Sequence, residues 1–346
     1  MIIQKSSIAP KLSKLKTIIP SKSTTESIQG ILYKNRILHA TNLEISMQTE
    51  IKNDSDEIFI IPSRAIDLIE SLPEGQIEIT PQENNSIKIK TGHINNKFQS
   101  YDPDAFPKTG DELNEIAIGR IEGKDLEKGI KSAIYAVKEY PEKPILAGVC
   151  FDSTEGKLNI VGCDGYRMSW FKIDCIDNFK FVIPKTTIQK LLSVGMTGEV
   201  EIAYKQSKAT FKTDDYIIHT GLLEGNYMDY TKMFFRQSNK ITVNRIILTE
   251  AVKRCILCAE EKNKSLIKLK IKENNITIST NSELSEYTEE IKAENSIEDT
   301  TIGFNGSYLM DFLKSFEGEN IALNFSPNLL TAGNDEQSAL IVAARF

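Results

Sequence analysis

The chain repeats one pattern three times. Segments that read as a helix start, an apolar helical stripe, a glycine stop and a strand begin at Pro62, Pro184 and Asn305, at spacings of 122 and 121 residues. The stripes are Ile66 and Ile69, then Ile188, Leu191 and Leu192, then Leu309, Phe312 and Leu313; the glycines that follow are Gly75, Gly198 and Gly318. Strands of alternating polarity, each introduced by an acidic or amide turn, recur from Asn42, Asp164 and Glu283. Hairpins recur in QIEITPQENNSIKIK, EVEIAYKQSKATFK and LIKLKIKENNITIST. One third of 346 residues is an ordinary domain size, so this repeat predicts three small α+β domains rather than one catalytic cleft. Each is expected to hold two helices on one face of about eight short antiparallel strands. The expected domains are residues 1–117, 118–239 and 240–346.

Each repeat also opens on a helix: KLSKLKTII near the start, KDLEKGIKSAIYAV from Lys124 and RIILTEAVKRCILCA from Arg245. At 100° per residue, Leu126, Ile130, Ala133, Ile134 and Val137 cluster on one side of the second, which sends Lys124, Lys128, Lys131 and Tyr135 to the other. On the first helix Ile8, Leu12, Leu15 and Ile19 form the core stripe and Lys11 and Lys14 face away. The chain as a whole is acidic, net −6, yet the helical segments 5–16, 124–138, 184–195 and 245–254 together carry +10, leaving −16 on the rest. An acidic body with a basic helical face is the pattern of a protein that holds a polyanion on one surface. No apolar run reaches the length of about 18 residues needed to span a bilayer, and the first residues lack the apolar stretch of a signal peptide, so a cytoplasmic location is expected. Five cysteines without an export signal point to reduced thiols.

Seven stretches then carry a resemblance: ATNLEISMQTEI (40–51), IPSRAIDLIESLPEG (61–75), YDPDAFP (101–107), KPILAGVCF (143–151), CDGYRM (163–168), GNYMDY (225–230) and GFNGSYLMDFL (303–313). In this order they resemble the bacterial sliding clamp, the beta subunit of the replicative DNA polymerase. The resemblance implies three tandem repeats of the DNA clamp fold and a head-to-tail homodimer whose six domains close a ring around duplex DNA, with the basic helices as its inner wall. Lys11, Lys14, Lys22, Lys124, Lys128, Lys131, Tyr135, Lys185 and Lys190 are then the DNA-facing positions. It further implies a pocket that receives short apolar peptides of the polymerase, the clamp loader and other partners. The matching positions are Leu146, Cys163, Gly165, Tyr166, Arg167, Met168, Met228, Lys232, Met233, Tyr308 and the terminal stretch Leu340, Val342, Ala343, Ala344, Arg345 and Phe346. Exposed Met, Tyr and Leu suit such a role because they repack around different apolar partners. The chain departs from the family at Tyr166, where the family stretch has His, at Tyr227-Met228 in place of Phe-Pro, and at the ending Val342-Ala343-Ala344-Arg345-Phe346 in place of Met-Pro-Met-Arg-Leu. The small Ala343 and Ala344 are expected to open the pocket rim. For the dimer contact, Leu257 lies off the core stripe Leu248, Val252, Cys255 and Ala259, Ile256 and Leu257 match the family's interface, and Phe98 is the matching candidate from the first domain.

Enzyme readings find little support. Cys255 and Cys258 have the spacing of a zinc or redox half-site, but no second pair exists and only three histidines occur, at 39, 93 and 219. Core cysteines are the better reading, and no metal or cofactor is expected. Neither a glycine-rich phosphate loop nor a nucleophile elbow is present. A non-catalytic processivity ring is the reading that follows. Its alternative is a divergent monomeric or open-ring adaptor that binds partner peptides without encircling DNA.

Overall fold

The computed structural model describes residues 1–108, 117–205, 207–234, 240–260, 265–295 and 299–345. The expected boundary at 239 falls outside these residues, and that at 117 stands at their edge. Among the described residues each repeat contributes eight strands and two helices.

The first repeat holds β1 (Ile2–Gln4), α1 (Lys5–Lys16), β2 (Gly30–Lys34), β3 (Ile37–Thr41), β4 (Ile45–Glu50), β5 (Phe59–Pro62), α2 (Ser63–Ser71), β6 (Gln76–Gln82), β7 (Ser86–Thr91) and β8 (Ile94–Gln99). The second holds β9 (Ala117–Glu122), α3 (Gly123–Ile134), β10 (Gly148–Thr154), β11 (Lys157–Cys163), β12 (Arg167–Asp174), β13 (Phe179–Pro184), α4 (Lys185–Val194), β14 (Glu199–Lys205), β15 (Lys208–Lys212) and β16 (Ile217–Gly221). The third holds β17 (Lys240–Asn244), α5 (Arg245–Cys258), β18 (Leu266–Lys272), β19 (Asn275–Asn281), β20 (Glu286–Asn295), β21 (Thr300–Asn305), α6 (Gly306–Ser315), β22 (Asn320–Ser326), β23 (Leu329–Gly333) and β24 (Gln337–Val342).

Two compact units emerge, residues 1–127 with 186–222 and residues 128–185 with 223–346, so the second repeat is shared between them. In the first unit β5-β2-β3-β4 joins β16-β15-β14-β9 as an eight-stranded sheet, and β1-β6-β7-β8 forms a four-stranded one. In the second, β13-β10-β11-β12 joins β24-β23-β22-β17-β20-β19-β18-β21 in twelve strands. Seams between successive repeats are therefore ordinary antiparallel ladders, β4 on β16 and β12 on β24.

The stripes read from the sequence are core except for Leu192, which is half-buried. Ile66, Ile69, Ile188, Leu191, Leu309, Phe312 and Leu313 are all buried, and truncating one the size of Phe312 costs about 3–5 kcal/mol. Asn305 caps α6 by accepting from the Tyr308 amide, and Asn244 caps α5 by accepting from the Ile247 amide. Gly75, Gly198 and Gly318 each sit at positive φ, which is why the three stops are glycine. Gly162 on β11 faces the Ala133 carbonyl so closely that a Cβ there would lie 2.1 Å from its oxygen; α3 can lie on this sheet only because the residue is glycine.

Two helix ends differ from the periodicity. α1 stops at Lys16, so Ile18 rather than Ile19 completes its buried stripe. α3 stops at Ile134, and Tyr135 belongs to the turn that follows. Its hydroxyl is buried beside Ser169 and Ser315, and burial pushes it up to about 12. Tyr135 is thus half-buried with its hydroxyl turned inward, a correction to its expected outward position.

Candidate partner pocket, basic helix face and open sheet edges

Period-two alternation on β12 sends Ser169 and Phe171 toward the helices and Met168 and Trp170 to the opposite face. There Met168 stands beside Leu340 of β24, and Trp170 beside Ser338. Leu146, Cys150, Val161, Cys163, Met168, Val182 and Leu340 form a buried apolar layer on this face, roofed by Tyr227 and Tyr230. Trp170, Leu223, Met228, Phe234 and Leu329 pack on it half-buried. Leu146, Cys163, Met168 and Leu340, four of the expected pocket residues, are therefore its floor. Burial also pushes the Cys163 thiol up to about 11, so this cysteine behaves as a small apolar side chain.

The rim is different in kind. Tyr166, Met233 and Val342 are 54%, 37% and 38% exposed, and Gly165, Lys232 and Arg345 are exposed as well. Gly165 takes the positive φ of the turn that leads into β12. The last described residues are tied back to the sheet: the amides of Val342, Ala343 and Ala344 donate to the carbonyls of Tyr166, Asn328 and Gly303. Phe346 lies outside the described residues.

Arg167 organises one end of this site. Its Nε donates to Asp164 at 3.0 Å and its NH1 to Asp311 at 2.6 Å, while the guanidinium lies 4.1 Å over the Tyr308 ring and 5.5 Å from that of Tyr135. Asp164 also accepts from the amides of Tyr166 and Arg167, so the turn, the arginine and α6 form one unit. Tyr308 and Ala343 pack half-buried on the third-repeat core rather than on the apolar floor. The pocket positions thus form a floor and a rim linked through Arg167. Sequence reading missed Trp170, Tyr227, Tyr230 and Phe234; alternation in DGYRMSWFK, which puts Trp170 on the face of Met168, was the signal available.

The basic positions divide into three kinds. Lys22, Lys124 and Lys131 are exposed. Lys11, Lys14, Lys185 and Lys190 rest their ammonium groups on backbone carbonyls, of Glu50, Val194, Val137 and Thr17, and so keep their charge. Lys128 differs: it pairs with Glu336 at 2.7 Å, has Glu317 at 3.9 Å, and lies over the Phe171 ring. Its charge is largely offset, which corrects the expectation of four equivalent outward residues on α3.

On α5, Leu257 is 81% exposed while Ile256 packs against the third-repeat core, so only the former stands off it. Beside Leu257 the structure adds a residue that the sequence did not signal, Leu284, at 95% exposure. Ser282 and Ser285 hold its turn to the end of α5 by donating to the Cys258 carbonyl. β20 follows that turn. It pairs with β19 over Glu286–Lys292 but with β17 only over Ala293–Asn295, which leaves its first half an open edge among the described residues. β8, which carries the half-buried Phe98, is likewise an edge strand, paired with β7 alone; β1, β5, β9, β13 and β21 are the remaining edge strands among the described residues.

Three tandem two-helix, eight-strand modules joined by sheet ladders define a DNA clamp protein. The chain belongs to the DNA polymerase III beta subunit family, whose N-terminal, central and C-terminal domain models match residues 1–110, 120–229 and 235–343. A beta sliding clamp of Streptococcus pneumoniae is 27% identical over 348 residues, 94% of this chain and 90% of that protein. The solved beta chain of DNA polymerase III from Streptococcus pneumoniae matches all of this chain and 99% of its own at a TM-score of 0.92 and 26% identity. A sliding clamp from Pseudomonas aeruginosa bound to griselimycin matches all of this chain and 99% of its own at a TM-score of 0.92 and 22% identity. No helix among the described residues is long and apolar enough to cross a membrane.

Proposed function

We propose that two copies of this chain close head to tail into a six-domain ring that encircles duplex DNA and tethers the replicative polymerase during DNA replication. The ring acts in the cytoplasm by topology, without catalysis: a closed loop cannot leave DNA sideways, so weak phosphate contacts from Lys11, Lys14, Lys22, Lys124, Lys131, Lys185 and Lys190 suffice. The pocket between floor and rim takes short apolar segments of the polymerase, the clamp loader and other partners.

The observation that carries this reading is that two of the edge strands, β8 and the first half of β20, occupy the positions of the repeat that form the internal seams. Equivalent turns, Asn42 amide to Ile45 carbonyl, Asp164 to Arg167 and Ser282 to Ser285, align β4, β12 and β20. The turns at Thr91, Thr213 and Asn334 likewise align β8, β16 and β24. Inside the chain the seams place Gln48 opposite Ile217 and Trp170 opposite Ser338, which are the same two positions of the repeat. Carried one repeat further, the rule sets Thr288 opposite Asn95 of a second copy. Tyr287 then meets Asn96, Glu286 meets Lys97 and Ser285 meets Phe98, with Leu257 and Leu284 alongside. Opposite charges then face each other at Glu286 and Lys97.

Light scattering over a dilution series tests closure. A mass of twice 38.9 kDa supports the ring, and a monomer at micromolar concentration overturns it in favour of the open adaptor. Retention on nicked circular DNA, with loss on linearisation, tests encirclement. Replacing Lys124 and Lys131 by Glu should weaken retention and make its salt dependence shallower, whereas Lys128→Glu alone should matter less because Glu336 already offsets that charge.

A further inference from the structure

Asp152 is a buried carboxylate that neither the DNA face nor the dimer edges use. It is 5% exposed, on the same face of β10 as the apolar floor. Its Oδ2 accepts from the Tyr230 hydroxyl at 3.1 Å and from Lys180 Nζ at 2.6 Å, while Oδ1 has no hydrogen-bond partner. Burying a carboxylate this incompletely satisfied costs stability, which a floor residue of apolar type at the same place would avoid. What the carboxylate gains is a fixed point for Tyr230.

Tyr230 begins the 3-10 turn Tyr230–Met233, and this turn together with Met228 is the wall of the proposed pocket. Among the described residues few other bonds fasten it to the sheet. The Tyr227 hydroxyl reaches the Val161 carbonyl only at 3.3 Å, and the ion pair of Asp229 with Lys232 is local to the turn and exposed. Aromatic packing completes the attachment: the Trp170 ring lies 5.1 Å from Tyr230, edge on, and 5.6 Å from Phe234. Trp170 is itself held, its Nε1 donating to Asn159 Oδ1 at 2.8 Å while Asn159 Nδ2 donates to the Asp152 carbonyl at 2.9 Å. Both supports of the wall, the hydroxyl bond and the indole, therefore converge on Asp152.

We propose that Asp152 and Tyr230 are positioning residues for partner binding: their hydrogen bond latches the segment 227–234 to the middle-repeat sheet and holds Met228, Lys232 and Met233 in place as a preformed wall. The inference rests on the pocket reading above. A wall already ordered loses less conformational freedom when a peptide docks, and that saving appears as affinity.

Griselimycin serves as the probe, measured by calorimetry on the intact protein. Tyr230→Phe keeps the ring on Trp170 and removes only the hydroxyl; Asp152→Leu keeps roughly the volume and removes the acceptor. Each should bind about three- to tenfold more weakly, the range expected from loss of one hydrogen bond. The double variant should be hardly worse than either single one, because both break the same contact. The melting temperature should move by no more than about 2 °C while amide exchange quickens within 227–234 alone. The emission of Trp170, the only tryptophan in the chain, should shift to the red. Unchanged affinity in Tyr230→Phe overturns the proposal, as does weaker binding with no local change in exchange. Failure of the unsubstituted protein to bind griselimycin, or binding indifferent to Met168→Ser, overturns instead the pocket reading beneath it.

Discussion

The two seams inside this chain share a backbone and differ in chemistry. β4 meets β16 with Ser46 opposite His219, where β12 meets β24 with Met168 opposite Leu340. His39 at the first seam stands where Val161 stands at the second, and Gln48 where Trp170 stands. Even the covered patches correspond: Ile28, Leu32 and Ile60 lie under Phe106 and Tyr101, as Leu146, Cys150 and Val182 lie under Tyr227 and Tyr230. Leu32 pairs with Ile60 on the first sheet and Cys150 with Val182 on the second, in equivalent register. Yet the second patch extends across its seam through Met168 and Leu340, whereas the first includes no residue of β4 or β16. The repeat makes the position, and four outward side chains give it different chemistry at the two seams.

Transplanting that chemistry is the most damaging test. Met168→Ser combined with Leu340→His should lower the binding of a short apolar partner peptide more than a hundredfold and cost about 2–5 kcal/mol of stability, since both side chains are buried. Calorimetry and thermal melting would read the two effects, and retained binding would mean that the seam chemistry does not define the pocket. A third seam, formed between copies, should obey the same register. Glu286→Lys or Lys97→Glu should weaken the dimer about tenfold, given two equivalent contacts per ring, and the double exchange should restore it. Dilution series followed by light scattering would show this, and failure of the double exchange to recover would break the extrapolated pairing.

The smallest expected effect concerns His219, 8% exposed, with Nδ1 2.8 Å from Thr210 Oγ1 and Nε2 unpartnered. Burial, with the Lys208 charge second, holds its imidazole below the ordinary 6.5. As pH falls, the unfolded chain takes up that proton first, so this residue lowers stability below about pH 6.5 and has no such effect above it. His219→Leu should flatten the decline in melting temperature between pH 7 and 5. An unaltered slope would place the acid sensitivity elsewhere.

Much of this molecule was legible because repetition multiplies weak signals. The stripes, the glycine stops and the hairpins each recur three times, and all three glycines adopt positive φ. Periodicity carried too far where a helix ended early, as at Tyr135, because the 3.6-residue rhythm of the sequence persists after the backbone has turned. It also cannot see pairing across long separations, so Lys128 read as an outward charge although Glu336 lies 208 residues away. The rim positions of the proposed pocket came from resemblance, but its roof did not, because Tyr230 and Phe234 gain meaning only from the ring of Trp170. Leu284 escaped for a similar reason: one leucine in a polar turn has no period, and its exposure follows from how Ser282 and Ser285 tether the turn.

The lysines seated on backbone carbonyls have a mechanical consequence for a ring threaded by DNA. In the proposed ring each is restrained from closing tightly on a passing phosphate, so its contacts stay weak and it contributes a broad attraction instead of a sequence of sticky stops. The potential felt along the duplex is then smooth, with low ridges between one phosphate and the next, and thermal motion can carry the ring along the DNA with little drag.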